Sequence, residues 1–278
     1  MRLGLFVAPF GELADPGRVA DLAVVAEEAG WSGLYLWDHM LSEPGVPVSD
    51  AWITMAAVAT ATREIRFGAM VTPLSRRRPW VMARQIAALD QLSGGRLVVG
   101  IGLGDDGWQE FSSFGEVVPA RQRGLILDES LEVLRRLLSG EDVSYEGDGL
   151  TVQSSPFLPR PVQDPVPIWA ACRWPKLRPL ARAARVQGCF PIFGVSDAPD
   201  VPAADDLNAL QAELARLGAP PTHDLVVRCA LRNVRPADRA SALATLEGCG
   251  VTWVLEGFPP FQPAAEIEAV VAAGPPPV

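Results

Sequence analysis

Histidine and lysine are scarce in this chain: 278 residues contain two histidines, His39 and His223, and one lysine, Lys176. The four cysteines, Cys172, Cys189, Cys229 and Cys249, form no CxxC pair. These shortages argue against a zinc site, and such wide cysteine spacing reads as reduced, mostly buried thiols in a cytoplasm. Positive charge is also short. With a net charge of −9 and a pI near 4.8, neither nucleic acid nor an anionic membrane is an expected partner, and an anionic ligand must find a local cationic pocket. No apolar run is long enough to span a bilayer, and the run in MRLGLFVAPFGE is too short for a signal peptide.

What the chain has in quantity is apolar residue, 49% of the total, arranged in a repeating rhythm. Short aliphatic and β-branched runs (2–8, 33–37, 65–71, 96–102, 166–171, 188–193, 224–231 and 250–256) alternate with amphipathic stretches of helical spacing. A non-helical excursion rich in Gly, Pro and Ser interrupts the rhythm at about 141–165. Continuously apolar strands are those of a parallel sheet covered on both faces. About eight such units in this length give a single α/β domain of (β/α)8 barrel type over residues 1–278. The runner-up is an open doubly wound sheet. Its GxGxxG fingerprint would have to be Gly100–Asp105, which puts aspartate in the third glycine's place and follows the fourth strand.

A barrel carries its site at the C-terminal ends of its strands. The second strand, LYLWDHM, delivers Asp38 and His39 there. The third ends in Met70–Val71 and the fourth in Gly102 with Asp105 and Asp106 beyond. The fifth ends in Ala171–Cys172–Arg173 and the sixth in Phe193–Gly194. Metal-assisted hydrolysis would need more ligands than this rim holds. A Schiff-base aldolase would need a lysine on a strand end, whereas Lys176 falls in a helix's first turn. The remaining chemistry is a flat, largely apolar cofactor with one or two proton-transfer groups. His223 precedes a strand, on the opposite face, and reads as structural.

Several segments carry a resemblance: WSGLYLWDHM, IRFGAMVTPLSRRRPWVMARQIAALDQLSGGRLVVGIGLG, FSSFGE, RQRGLILDESLEVLRRLLSG and GVTWVLEGF. They resemble the bacterial luciferase-like superfamily of flavin- and deazaflavin-dependent oxidoreductases over nearly the whole chain, most specifically in LDQLSGGRLVVGIGLG. The resemblance implies a TIM barrel and a cofactor that moves two electrons, either coenzyme F-420 (8-hydroxy-5-deazaflavin), slightly favoured, or FMN. It implies that Asp38 and His39 contact the ring edge and the reacting substrate, with Asp38 accepting a hydrogen bond from His39 or the cofactor. Met70–Val71 matches a bulge where relatives often carry a non-prolyl cis peptide. Asp105 matches a glutamate that donates a proton in some deazaflavin-dependent relatives. Gly102, Ala171, Cys172, Arg173, Lys176, Phe193 and Gly194 complete the expected cofactor contacts. No metal is expected, the partner is a small-molecule substrate, and a homodimer is allowed.

One segment departs from the family pattern. Relatives place a pair of glycines after the fifth strand, where backbone amides approach the cofactor phosphate; here Ala171–Cys172–Arg173 stand instead. Arg173 with the helix start at Pro175–Lys176 offers charge in their place. Three functions stay open: a deazaflavin-dependent reductase or dehydrogenase, a reduced-FMN monooxygenase, and a non-catalytic ligand-binding barrel. Arg76–Arg77–Arg78 is read as an anionic-tail site or a solvated face, and Trp108, Phe111 and Phe114 as a lid or as packing onto the barrel top.

Overall fold

The computed structural model describes residues 1–194 and 200–277. Its main sheet runs parallel, from β1 (Arg2–Val7) and β2 (Gly33–Leu36) to β3 (Arg66–Ala69), β4 (Thr72–Pro73) and β5 (Val99–Gly102). The antiparallel pair β6 (Val143–Glu146) and β7 (Thr151–Ser154) stands apart, inside the excursion. The main sheet continues through β8 (Ile168–Arg173), β9 (Gly188–Ile192), β10 (Asp224–Cys229) and β11 (Trp253–Gly257).

β3 and β4 are one barrel strand broken at Met70–Val71, a non-prolyl cis peptide. β3 pairs with β2 and β4 with β5. A bridge from Phe67 to Leu97 closes the ring beside the break. The result is a (β/α)8 barrel. Its seam permits no side chain: a Cβ on Gly68 would stand 2.1 Å from the Val98 carbonyl oxygen, and one on Gly100 2.2 Å from that of Ala69.

The helices wrap the outside in sequence: α1 (Pro16–Glu28), α2 (Ala51–Ala61), α3 (Pro79–Ser93), α4 (Ala120–Ser139), α5 (Leu177–Ala183), α6 (Ala204–Arg216), α7 (Pro236–Gly248) and α8 (Ala264–Ala272). Their starts follow local chemistry. Asp15 and Asp50 cap α1 and α2 by accepting from the amides of Gly17 and Ile53, and proline opens α1, α3 and α7, where a missing N–H costs nothing. Gly94, at φ 66°, stops α3 in a left-handed cap. One start differs from the sequence reading: α5 begins at Leu177 with Lys176 as its cap, not at Pro175.

Aliphatic side chains fill the layer between sheet and helices. The barrel interior is instead aromatic. Tyr35 lies 5.2 Å from Trp169 and 5.8 Å from Trp253 (ring centroids), and the two tryptophans are 5.4 Å apart. Glycine makes room for them: a Cβ on Gly188 would come 2.3 Å from Trp169, and one on Gly33 2.7 Å from Tyr35. This plug fills the barrel below and leaves its upper end for a cavity. Among the described residues no helix is long and apolar enough to cross a membrane.

The LDQLSGGR run works at the opposite end from that cavity's chemistry. Buried Asp90 accepts from the backbone and side-chain amides of Gln163, tying the excursion to α3. Arg96 donates to the carbonyls of Ala59, Thr62 and Ile65, satisfying the C-terminal end of α2 and the turn after it.

Candidate active site

A cavity of about 700 Å³ opens at the C-terminal ends of the strands, within the range of cofactor sites. Its floor and one wall are apolar: Phe6, Trp37, Met70, Val71 and Leu103. Every residue expected at the site lines it except Gly102, which lies behind Val71; a Cβ there would meet the valine methyl at 2.3 Å.

Asp38 and His39 do not pair. His39 Nδ1 lies 2.6 Å from Glu110 Oε1, and the second oxygen of Glu110 accepts from the Met40 amide at 2.7 Å and from Arg76 at 3.1 Å. Asp38 instead accepts from the Thr72 hydroxyl at 2.9 Å and from Arg77 at 3.0 Å. Both residues lie just beyond β2, and each is held by a different partner: Asp38 by Thr72 and Arg77, His39 by Glu110. Of the two donors expected for Asp38, His39 or the cofactor, His39 is not one: it donates instead to Glu110, a loop residue 71 positions away.

The same network settles the arginine run. Arg76 and Arg77 are neither a solvated face nor free for an anionic tail; both are mostly buried and neutralised by Asp38 and Glu110. Arg78 alone is exposed, beside Trp80.

Glu110 is 2% exposed. Burial pushes its carboxyl up, but the bond and charge from His39, the Met40 amide and Arg76 together hold it below the ordinary carboxylate value. An ionised carboxylate only accepts, so Nδ1 of His39 carries the proton and Nε2 is the ring nitrogen left to exchange one. Asp105 is exposed at the cavity mouth, with its carboxylate turned to the Gly107 amide at 2.6 Å.

Besides Arg228, which lies over the Phe6 ring at 5.4 Å, the cations in and around the cavity form two groups. Arg76 and Arg77 are spent on carboxylates, as are Arg178 and Arg182, both bound to Asp128 behind the wall. Arg123, Arg173 and Lys176 form no salt bridge among the described residues, although the Asp106 carboxylate lies within the field of Arg123. Among the described residues Arg173 donates to the Gly194 carbonyl alone. Arg123 is the sharper case: it is 6% exposed, lies 4.4 Å from the Phe111 ring, and its Nε and Nη1 make no hydrogen bond. Trp37 Nε1, also on the cavity wall, is a second buried donor without an acceptor. Buried unpaired donors of this kind cost stability unless a ligand supplies the acceptor.

After the fifth barrel strand the glycines' place is taken by side chains that partly turn away. Cys172 Sγ packs 3.3 Å from Cys189 Sγ on the neighbouring strand, and burial holds the Cys189 thiol well above its ordinary value. In the loop above, Phe111 is buried and Trp108 packs edge-on against Phe10 and His39, so these two pack onto the barrel top; Phe114 stays exposed. His223 lies away from the cavity and bonds the Ala183 carbonyl through Nε2. Sequence reasoning missed Glu110, Arg123, Trp37 and Phe6.

Residues 1–266 match the sequence profile described as luciferase-like monooxygenase. Among curated proteins, the chain is 33% identical over 175 residues to an F-420-dependent glucose-6-phosphate dehydrogenase of Amycolatopsis mediterranei, covering 61% of this chain and 51% of that one. It is 32% identical over 179 residues to the enzyme of that name from Nakamurella multipartita, covering 60% and 49%. The chain thus spans about half the length of the curated relatives it matches. Among solved structures it resembles the coenzyme F-420-dependent tetrahydromethanopterin reductase of Methanopyrus kandleri (TM-score 0.74, 18% identity, 98% of this chain and 96% of that one). A monooxygenase from Streptomyces bottropensis is similar to the same extent (TM-score 0.77, 21% identity, 98% and 96%). At these identities the structural likeness is one of fold.

Proposed function

The chain belongs to the luciferase-like monooxygenase family, and we propose that it is an oxidoreductase using coenzyme F-420 to move two electrons to or from a small organic substrate. The observation that carries this reading is an apolar wall ending in a buried guanidinium, Arg123, that forms no salt bridge among the described residues and whose Nε and Nη1 make no hydrogen bond. In a protein of net charge −9, such a group calls for an anionic ligand. The residues fit a ring with a phosphorylated tail. Met70 and Val71 would back the ring, Trp37 Nε1 would meet a polar ring edge, and Arg123, Arg173 and Lys176 would hold the phosphate. When bound, the deazaflavin supplies hydride transfer.

The protein's own part is proton handling and exclusion of water. Glu110 fixes the tautomer and orientation of His39, leaving Nε2 to take a proton from a substrate hydroxyl or return one to a carbonyl. Asp38, through Thr72 and Arg77, ties the end of the second barrel strand to the residues after the cis bulge and holds both elements in place. Asp105, at the mouth, is the second candidate proton donor. A reduced-FMN monooxygenase is the second reading, since FMN carries a phosphate as well. It is favoured by the three aromatic rings packed around His39, which leave its imidazole only partly open to water.

We read residues 1–278 as one barrel domain with the β6–β7 pair in its excursion, placed in the cytoplasm. The exposed Ile53, Trp80 and Val81 on adjacent helices give it a face for homodimer formation. Titration of the purified protein with coenzyme F-420 and with FMN, followed by fluorescence, tests the reading. Submicromolar binding of F-420 with weaker binding of FMN is the expected result. The reverse order favours the monooxygenase, and binding of neither leaves a non-catalytic barrel.

A further inference from the structure

We infer that the substrate is an uncharged, planar aromatic compound, received on a ring array that runs from His39 to the protein surface at Phe261. The inference rests on the oxidoreductase reading in one respect: it takes His39 as the reacting side of the site.

The array is continuous. Around the His39 imidazole, ring centroids lie at 5.0 Å (Trp108), 5.5 Å (Trp37) and 5.7 Å (Phe10), with Trp108 and Phe10 edge-on at 65° and 79°. Phe10 and Trp108 both reach Phe261, at 6.3 Å and 6.2 Å. Phe261 is 43% exposed. At the surface Phe261 adjoins Trp108, Pro259 and Pro260, so the array ends in a contiguous apolar patch, the kind of surface on which another ring packs.

Trp108 and Phe261 also line a second, open cavity at the surface, of about 760 Å³, together with Pro259 and Pro260. Its charged lining is acidic throughout: Glu43 and Glu266, both exposed. Trp108 lines this outer space and stands 5.0 Å from the His39 imidazole, which lines the main cavity, so the outer space reaches up to the ring beside the reacting side of the site. A flat ring entering from outside meets proline and aromatic surface first and the edges of Trp108 and Phe10 next. Both favour a π-face or ring edge.

An anionic substrate meets the opposite conditions. A phosphate or carboxylate at the outer cavity would face two carboxylates and no cation. Nearer His39, Arg76 is already bound by Glu110 and the Asp38 carbonyl. Arg228, in the main cavity, lies over the Phe6 ring at 5.4 Å and does not line the outer one. Arg123, Arg173 and Lys176 line the main cavity too, where the cofactor phosphate engages them. Desolvating an anion without a partner is costly, so the charge layout separates an anion-binding main cavity from an aromatic outer one. Glucose 6-phosphate belongs to the disfavoured class.

Isothermal titration of the full chain with three probes tests this: 2-naphthol, 2-naphthoate and glucose 6-phosphate, each with and without saturating coenzyme F-420. The expected order is measurable binding of 2-naphthol, at least about tenfold weaker binding of 2-naphthoate, and none of glucose 6-phosphate. Trp108→Ala and, as a surface variant that leaves the buried array intact, Phe261→Ala should each weaken 2-naphthol about fivefold, with F-420 affinity unchanged. The inference is overturned if 2-naphthol does not bind, if either anion binds as tightly, or if both variants retain wild-type affinity for it. Ring-dependent 2-naphthol binding by a protein that binds neither F-420 nor FMN would support the aromatic site and sink the oxidoreductase reading, so the two failures are told apart.

Discussion

His39 and Glu110 are joined through a 2.6 Å bond from an imidazole nitrogen to a nearly fully buried carboxylate, while Asp38, adjacent in sequence, faces Thr72 and Arg77. Proton transfer should therefore depend on residues 39 and 110, with Asp105 secondary. His39→Gln should lower turnover by about 10²–10⁴, the usual contribution of a general acid or base, with cofactor affinity retained. Asp105→Asn should stay within a few-fold of wild type, because that carboxylate is exposed and already engaged by the Gly107 amide. Rapid mixing of reduced cofactor with substrate separates binding from chemistry. A dead Asp105→Asn beside an active His39→Gln would move the proton donor to the loop after the fourth barrel strand.

Stability at acid pH should report the same carboxylate. Glu110 is held below the ordinary glutamate value despite its burial. Glu27 is held below it as well: burial raises it, and the amides of Ile65, Glu64 and Arg63 more than offset that. A carboxylate depressed in the folded state stabilises above its unfolded value and loses that contribution as pH falls through its folded value. Thermal midpoints should accordingly drop as pH is lowered from about 5 to about 3. The drop should be smaller in Glu110→Gln and in Glu27→Gln, and equal slopes in all three proteins would refute the assignment.

Arg123 should account for the phosphate. Replacing it with methionine, which keeps the packing on Phe111, should weaken FMN by roughly 1.5–3 kcal/mol, the range for a charge-assisted hydrogen bond, and leave riboflavin unchanged. Arg173→Ala should cost less, since that side chain is exposed and bonded to the Gly194 carbonyl. Equal loss for FMN and riboflavin in Arg123→Met would reduce Arg123 to a structural role.

The barrel was legible because its signals are local: apolar strands, helical periodicity, capping aspartates and stop glycines each act over a few residues. The strand-end rule then collected Asp38, His39, Met70, Val71, Arg173 and Phe193 without any contact information. Glu110 and Arg123 escaped for a physical reason. Each depends on the path of the 103–119 loop, which folds Glu110 back onto His39 and seats Phe111 between Arg76 and Arg123, and no periodicity encodes that path. A signal was available in Trp108–Gln109–Glu110–Phe111, where a carboxylate sits between two large aromatics. Burial of those rings takes the charge with them, and a buried charge requires a partner. The family-specific LDQLSGGR run misleads in the other direction, since Asp90 and Arg96 hold backbone far from the cavity's polar residues.

The barrel seam offers a test in which fold and site should fail together. Gly68 and Gly100 flank the closure between β3 and β5. An added Cβ on Gly100 would stand 2.2 Å from the Ala69 carbonyl oxygen and 2.5 Å from Met70 Sδ. The methionine sulfur can move, but the backbone oxygen cannot without opening the seam. Gly100→Ala should therefore destabilise the protein by about 1–3 kcal/mol or more, as overpacking does. Because Met70 lines the cavity, the same change should displace the cofactor's backing and weaken F-420 and riboflavin alike, unlike the phosphate-selective loss in Arg123→Met. Gly248, the last residue of α7, serves as the control, since a Cβ added there would meet no atom within 4 Å; Gly248→Ala should be neutral or stabilising by up to about 1 kcal/mol. Denaturation midpoints and cofactor titrations on the two variants give both readouts. A Gly100→Ala protein as stable as Gly248→Ala, binding cofactor normally, would mean that the barrel does not close at this seam.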